Sequence, residues 1–326
     1  MRPPPTASDV VSGAPDSGPG EPREGQTFAG TSRLTAYVNF VKLPHTLFAL
    51  PFALVGVVLA SYRHRLRVAE VVWVVVAFTA ARFAAMGFNR IVDRELDARN
   101  PRTAQRELPR GVLGVREAWI AVVLAIALFV FAAGRLNPLC LLLSPLAIAW
   151  VLWYSYTKRF TRWSHLVLGL GLGIAPVGGY LAVAGGWSRP WWMLVALAAG
   201  VASWVGGFDI LYALQDVEFD RANALHSVPA RHGERGAIMI ARVLHALAIA
   251  GLALAGVAIG AGWFFWAGVL IAGLILLYEH SLVHPGDLSK LDAAFFGMNG
   301  MLSITFFFFV LAERIRPLLM LARRGS

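Results

Sequence analysis

One cysteine stands in 326 residues. A single thiol can build neither an intrachain disulfide nor a thiolate metal cluster, and the position of Cys140 inside an apolar run marks it as a packing residue. Charge is scarce as well: 15% of the chain is charged, where a soluble domain carries about 25%. Acids are the rarer sign, 19 against 29 Lys and Arg, for a net charge of +10. The first thirty residues lack the apolar core of about 7–15 residues that a secretory signal needs. They are rich in Pro, Gly, Ser and charge, and residues 1–34 are expected to form a disordered tail in the cytoplasm.

Apolar residues are what the chain does have, at 57% and a mean hydropathy of +0.62. That excludes an ordinary water-soluble domain and leaves room for about nine spanning helices of about 20 residues each. Apolar runs cut by charge or by Gly and Pro lie near 45–62, 68–92, 117–134, 138–157, 166–184, 191–215, 237–257, 261–279 and 292–312. The expectation is an all-α integral membrane protein, with residues 35–326 forming one bundle of nine transmembrane helices. With the N-terminus inside, the inner loops hold 13 Lys and Arg against 5 in the outer loops, termini aside. That asymmetry is the usual signature of cytoplasmic loops, although the run Arg63–Arg67 opposes it. The basic excess therefore calls for a membrane and not for nucleic acid.

Three local patterns have modest explanations. Gly169, Gly171 and Gly173 alternate inside an apolar span with no strand before them, which suits close helix packing better than a nucleotide loop. His280 and His284 have metal-ligand spacing, but Pro285 follows at once and nothing nearby completes a ligand set. Trp187, Trp191 and Trp192 fall at a span boundary, where indoles settle at headgroup depth.

The chemistry lies at the ends of the second and sixth spans. Asn89, Asp93 and Asp97 recur every four residues and form one oxygen-bearing stripe on a helix. Asp209, Tyr212, Asp216 and Asp220 give a second, since positions seven and eleven beyond Asp209 return to within about 20° of its direction. Both stripes end even-numbered spans, so any alternating topology brings them to the same membrane surface. Crowded carboxylates repel unless a cation sits between them, and magnesium is satisfied by one or two carboxylates together with substrate phosphates. Asn89, Asp93, Asp97, Asp216 and Asp220 are the candidate Mg2+ ligands. Arg102 and Arg106 follow the first stripe, and Tyr154, Lys158 and Arg159 end the fourth span. Guanidinium forks and a lysine point charge suit phosphate oxygens. A plainer alternative makes these residues solvated helix ends beside loop arginines, and another class of protein, a cation transporter, would use such carboxylates as ion ligands. Transporter sites tend to lie near the midplane beside broken helices, whereas these stripes lie at span ends.

These residues resemble the UbiA superfamily of membrane prenyltransferases. Its motif N-x-x-x-D-x-x-x-D is met by Asn89, Asp93 and Asp97, and D-x-x-Y-x-x-x-D-x-x-x-D by Asp209, Tyr212, Asp216 and Asp220. Arg102, Thr103, Arg106 and the stretch Tyr154 to Arg159 also look like family signatures. Lys42 to Phe52 and Leu225-His226-Ser227-Val228-Pro229 look like the 4-hydroxybenzoate polyprenyltransferase branch, and at least as much like a sub-branch associated with menaquinone synthesis by the futalosine route. Ala224 departs from the glycine expected there.

The resemblance implies Mg2+-dependent transfer of a polyprenyl group from its diphosphate to an aromatic acceptor, 4-hydroxybenzoate or a related quinone precursor, at the cytoplasmic face of the bilayer. Within such enzymes the alternative acceptors are a naphthoate, a chlorin or haem precursor, or a lipid alcohol. Asp93, Asp97, Asp209, Asp216 and Asp220 would be catalytic. Arg102, Arg106, Lys158, Arg159, Tyr154 and Tyr212 would bind substrate, with Tyr154, Tyr212 and Phe208 offering aromatic faces to the allylic cation.

Overall fold

The computed structural model describes residues 32–291 and 297–324, so the expected tail lies outside the described residues except for its last three. The described chain is helical, with one isolated β-bridge between His284 and Asp287. In order the helices are α1 (Arg33–Phe40), α2 (Leu43–Ala60), α3 (Val68–Arg99), α4 (Val115–Leu136), α5 (Pro138–Thr157), α6 (Ser164–Ala184), α7 (Trp192–Tyr212), α8 (Val217–Ala222), α9 (Val228–Ile259), α10 (Trp263–Leu282) and α11 (Asn299–Arg324). Among the described residues, seven stretches are long and apolar enough to cross a membrane: α3 to α6, α9, α10, and α7 continued through α8. Residues 49–60 of α2 form a shorter apolar helix.

Local chemistry sets the boundaries. Asn137 starts α5 by accepting the Cys140 N–H at 2.9 Å, with Pro138 in the first turn. The Asn137 amide also donates to the Leu181 and Ala182 carbonyls, at 2.9 and 3.1 Å, which fastens the start of α5 to the end of α6. Ser227 caps α9 by accepting the Ala230 N–H at 3.2 Å, and Pro229 follows where its missing N–H costs nothing.

α3 runs about 48 Å at 1.5 Å per residue, well beyond the roughly 30 Å of a hydrocarbon core. Its last turns carry the first acidic stripe out of the apolar layer. The second stripe differs from the regular helix expected. α7 ends at Tyr212, a 3-10 turn occupies Ala213–Asp216, and α8 resumes at Val217. Tighter winding there rotates Asp216 relative to Asp209, and the three acids meet different partners.

Small residues let the central helices touch. The Cα positions of Gly169 and Gly173 on α6 lie against the Ala202 and Ala198 carbonyls of α7. Gly56 of α2 and Gly179 of α6 meet the backbones of Pro176 and Ala53 in the same way. No side chain fits at such crossings, as expected for the first and third glycines of the alternation. Gly171, the middle one, faces a cavity. Cys140 is partly buried and lines the same cavity.

A buried polar chain joins α7, α9, α10 and α11. The Trp204 indole donates to Asn299 Oδ1 at 2.7 Å, the Asn299 amide to Glu279 Oε1 at 3.1 Å, and the rings of His245 and His280 meet at 3.0 Å. His280 is thus turned to His245, while His284 lies past the end of α10 in the β-bridge. At the other end of the bundle from the acids, the Trp187 indole donates to the Trp191 carbonyl at 2.8 Å, and both rings are exposed.

Candidate active site

Two cavities meet end to end. A polar one of about 190 Å³ lies among the ends of α3, α5 and α7 and the loops after them, lined by every acid of both stripes. An apolar one of about 360 Å³ runs back along α3, α4, α5 and α6, from Tyr154 and Asp209 to Leu136, Cys140 and Leu181. Asn89, Arg90, Arg106, Tyr154, Asp209 and Tyr212 line both.

Three acids of the polar cavity, Asp93, Asp97 and Asp216, are each held by their own cations. Asp93, 3% exposed, receives Lys158 Nζ at 2.6 Å and the Arg159 guanidinium at 3.2 Å, and Asn89 donates to it at 3.1 Å. Asp97, also buried, pairs with Arg106 at 2.6 Å and has Arg90 at 3.8 Å, while its Oδ2 receives no hydrogen bond. Arg102 grips Asp216 through both carboxylate oxygens, and Asn100 adds a bond at 3.0 Å. The Arg102 guanidinium also donates to the Tyr212 hydroxyl at 3.0 Å and stacks over its ring. Burial works against the Arg102 charge, but Asp216 and the Tyr212 oxygen outweigh it and hold its proton more tightly than usual. Asp220 faces the Ser227 side chain.

The twelve candidate site residues named from the sequence therefore line this region or, in the case of Arg159, bond to it. Thr103 supports it from below, its hydroxyl donating to the Asp97 carbonyl at 3.0 Å.

Asp209 is apart from the other acids. Its Oδ2 lies 2.7 Å from His165 Nδ1. The Val228 N–H points at His165 Nε2, at 3.4 Å, so Nε2 is the accepting nitrogen and Nδ1 carries the proton donated to Asp209. Arg82 lines the apolar cavity in electrostatic reach of Tyr154 and Asp209, and its Nε is buried without a hydrogen bond.

Sequence reasoning missed Arg82 and His165. A lone arginine inside an apolar span was a usable signal, since ionised groups at that depth are costly and tend to be functional. His165 offers none, because its partner is 44 residues away.

The donor set can accept a magnesium ion. Among the described residues no three His, Cys, Asp or Glu side chains gather into a metal cage. Magnesium does not need one where phosphate oxygens and water complete its shell, and Asp97 Oδ2, which receives no hydrogen bond and has only Arg90 at 3.8 Å, is a carboxylate oxygen ready for such a partner.

Comparison with known proteins agrees with this geometry. Residues 49–310 match the model of the UbiA prenyltransferase family. A 4-hydroxybenzoate octaprenyltransferase from Citrobacter koseri is 30% identical over 233 residues, 70% of this chain and 78% of that protein. The apo structure of a UbiA homologue from Aeropyrum pernix K1 superposes with a TM-score of 0.76 at 32% identity, covering 82% of this chain and 98% of the other. A UbiA homologue from Archaeoglobus fulgidus, bound to DMAPP and Mg2+, shares the fold with a TM-score of 0.67 at 18% identity, covering 85% and 98%. The cation-transport alternative is thereby set aside. A helical membrane bundle whose polar and apolar cavities share one wall of acids, arginines and tyrosines belongs, by sequence and by fold, to the UbiA prenyltransferase family.

Proposed function

We propose that this prenyltransferase moves a polyprenyl group from polyprenyl diphosphate to an aromatic acceptor of the 4-hydroxybenzoate class, releasing diphosphate. The observation that carries the reading is the shared wall, where a polar pocket lined by Lys, Arg and Asp opens into an apolar one. A molecule with a diphosphate head and a hydrocarbon tail fits across that wall with its scissile bond between the two. The acceptor class is supported by the name of the Citrobacter koseri relative, and the donor class by the ligand of the Archaeoglobus fulgidus homologue.

Asp93, Asp97, Asp216 and Asp220, with Asn89, would hold Mg2+, whose bound charge would stabilise the leaving diphosphate. Lys158, Arg159, Arg102 and Arg106 exchange part of their bonding from carboxylates to phosphate oxygens. As the allylic C–O bond breaks, its electron pair leaves with the diphosphate, and the rings of Tyr154, Tyr212 and Phe208 face the cationic carbon. A ring carbon beside the phenolic oxygen supplies the pair for the new C–C bond. Asp209 accepts the phenolic proton and returns it to that oxygen when the ring C–H proton departs to solvent, which balances the exchange. Arg82, whose buried Nε has no hydrogen-bond partner among the described residues, receives the acceptor's carboxylate.

In this reading α2 and α11 are two further crossings, giving nine in all, residues 35–326 form one transmembrane unit, and residues 1–34 are a separate tail. The acid end faces the cytoplasm, in line with the basic loops.

The test is a membrane assay with labelled polyprenyl diphosphate and 4-hydroxybenzoate, with magnesium and with chelator. A prenylated benzoate formed only with magnesium is expected. Turnover with a naphthoate or a lipid alcohol instead would replace the acceptor class, and silence with every acceptor in folded protein would overturn the reading.

A further inference from the structure

We infer that His165 is the residue that positions Asp209 for its part in the reaction, a role resting on the proposed transfer to a phenolic acceptor. His165 lies in the first turn of α6, 4% exposed, and touches two other elements. Toward α7 its Nδ1 is 2.7 Å from Asp209 Oδ2. Toward α9 its Nε2 faces the N–H of Val228, the first residue of that helix. An imidazole held in this way has a settled tautomer, because the nitrogen facing a backbone donor has to be the acceptor. Its one N–H is committed to one oxygen of Asp209, and Oδ1 receives no hydrogen bond from the described residues. Asp209 lines both cavities, so that oxygen is the one presented to the acceptor hydroxyl.

The arrangement does two things. It stops the carboxylate from rotating, which matters because a misplacement of about 1 Å at a reacting group costs on the order of 100-fold. It also makes the attitude of Asp209 depend on the loop before α9. That loop is tied down along its length: the Leu225 N–H donates to the Asp220 carbonyl at 2.9 Å, the His226 N–H to the Lys158 carbonyl at 2.8 Å, and Ser227 caps the helix. Asp209 is thereby set by the same loop that borders the polar cavity, through Leu225, His226 and Ser227. His165 touches no reacting atom; it acts through Asp209.

The experiment measures kcat and KM for both substrates in the full-length protein and in His165→Leu, His165→Asn, Asp209→Asn and the double variant His165→Leu/Asp209→Asn. Asparagine can set its amide where Nδ1–H stood, and leucine cannot. The expected result is a 10- to 100-fold fall in kcat for His165→Leu, with the KM for prenyl diphosphate within twofold, and recovery to within threefold of the parent in His165→Asn. In the Asp209→Asn background, His165→Leu costs less than a further twofold, since the group it positions is already gone. Equal losses in the Leu and Asn variants, or a full additional loss in the double variant, would overturn the inference and leave the proposed function standing. An inactive parent with every acceptor would overturn both. Melting temperatures of the four variants in detergent show whether any loss of kcat comes from unfolding.

Discussion

The apolar cavity makes a length-dependent prediction. Gly171 and Gly178 both line it from α6; a Cβ at Gly178 would meet nothing within 4 Å, and one at Gly171 would be in ordinary contact, 3.5 Å from Trp150. Leucine at either position extends into the cavity and adds helix propensity worth about 0.5–1 kcal/mol, so folding is not at stake. Counting from His165 at the level of the acids, the helix rises about 1.5 Å per residue, which sets Gly171 about 9 Å and Gly178 about 20 Å along the cavity. One isoprene unit adds four main-chain carbons, about 5 Å when extended. Gly171→Leu therefore blocks the path after about two units and Gly178→Leu after about four. The assay is kcat/KM for geranyl, geranylgeranyl and octaprenyl diphosphates with one acceptor. Gly171→Leu should hold the geranyl value within about threefold and lower the two longer ones by about tenfold or more, a barrier of roughly 1.4 kcal/mol. Gly178→Leu should lower only the octaprenyl value. An equal loss at all three lengths, or an unchanged octaprenyl value in Gly171→Leu, would show that the tail does not follow this path.

Other predictions come from single residues. Asp216→Asn removes the charge gripped by Arg102 and should lower transfer by about 100-fold or more while the protein stays folded in detergent, checked by activity and melting temperature together. Ala224 has φ +52°, a left-handed conformation that costs a residue bearing a Cβ about 1 kcal/mol; Ala224→Gly should leave the melting temperature unchanged or raise it by a few degrees. Glu107 is 4% exposed, and burial pushes its carboxyl above the ordinary glutamate range despite its own backbone N–H, Arg90, Arg106 and Arg110. A raised acid pKa means that the folded state holds the proton longer than the unfolded state, so this contribution is full below the ordinary range and is lost as pH rises through the folded value. Glu107→Gln should flatten that loss in melting curves recorded across pH.

How much of this was legible in the sequence differs from residue to residue. The first acidic stripe was plain because α3 stays helical to Arg99, so a period of four residues in sequence is a stripe in space. The second was legible in content and not in shape, since the 3-10 turn at Ala213–Asp216 depends on tertiary packing that periodicity does not record. The glycine expected at 224 has a physical cause in the left-handed backbone that alanine adopts there. The cations were visible as a basic set, yet their division among Asp93, Asp97 and Asp216 depends on how loops far apart in sequence fold back. Buried histidines are hardest to read: His165 and His245 each find a partner more than thirty residues away.

The glycine crossings have a mechanical consequence. Where α2, α6 and α7 meet backbone to backbone, at Gly56, Gly169, Gly173 and Gly179, there is no side chain between them to change rotamer, so these helices move as one stiff spine. α5, by contrast, is the least buried inside the protein of these seven spans. A hydrocarbon chain that has to widen the cavity therefore works against the compliant side of the bundle, the panel made by α5, and leaves the spine that carries Asp209 undisturbed. Tails of different bulk can be admitted from the bilayer without altering the alignment of the groups that react.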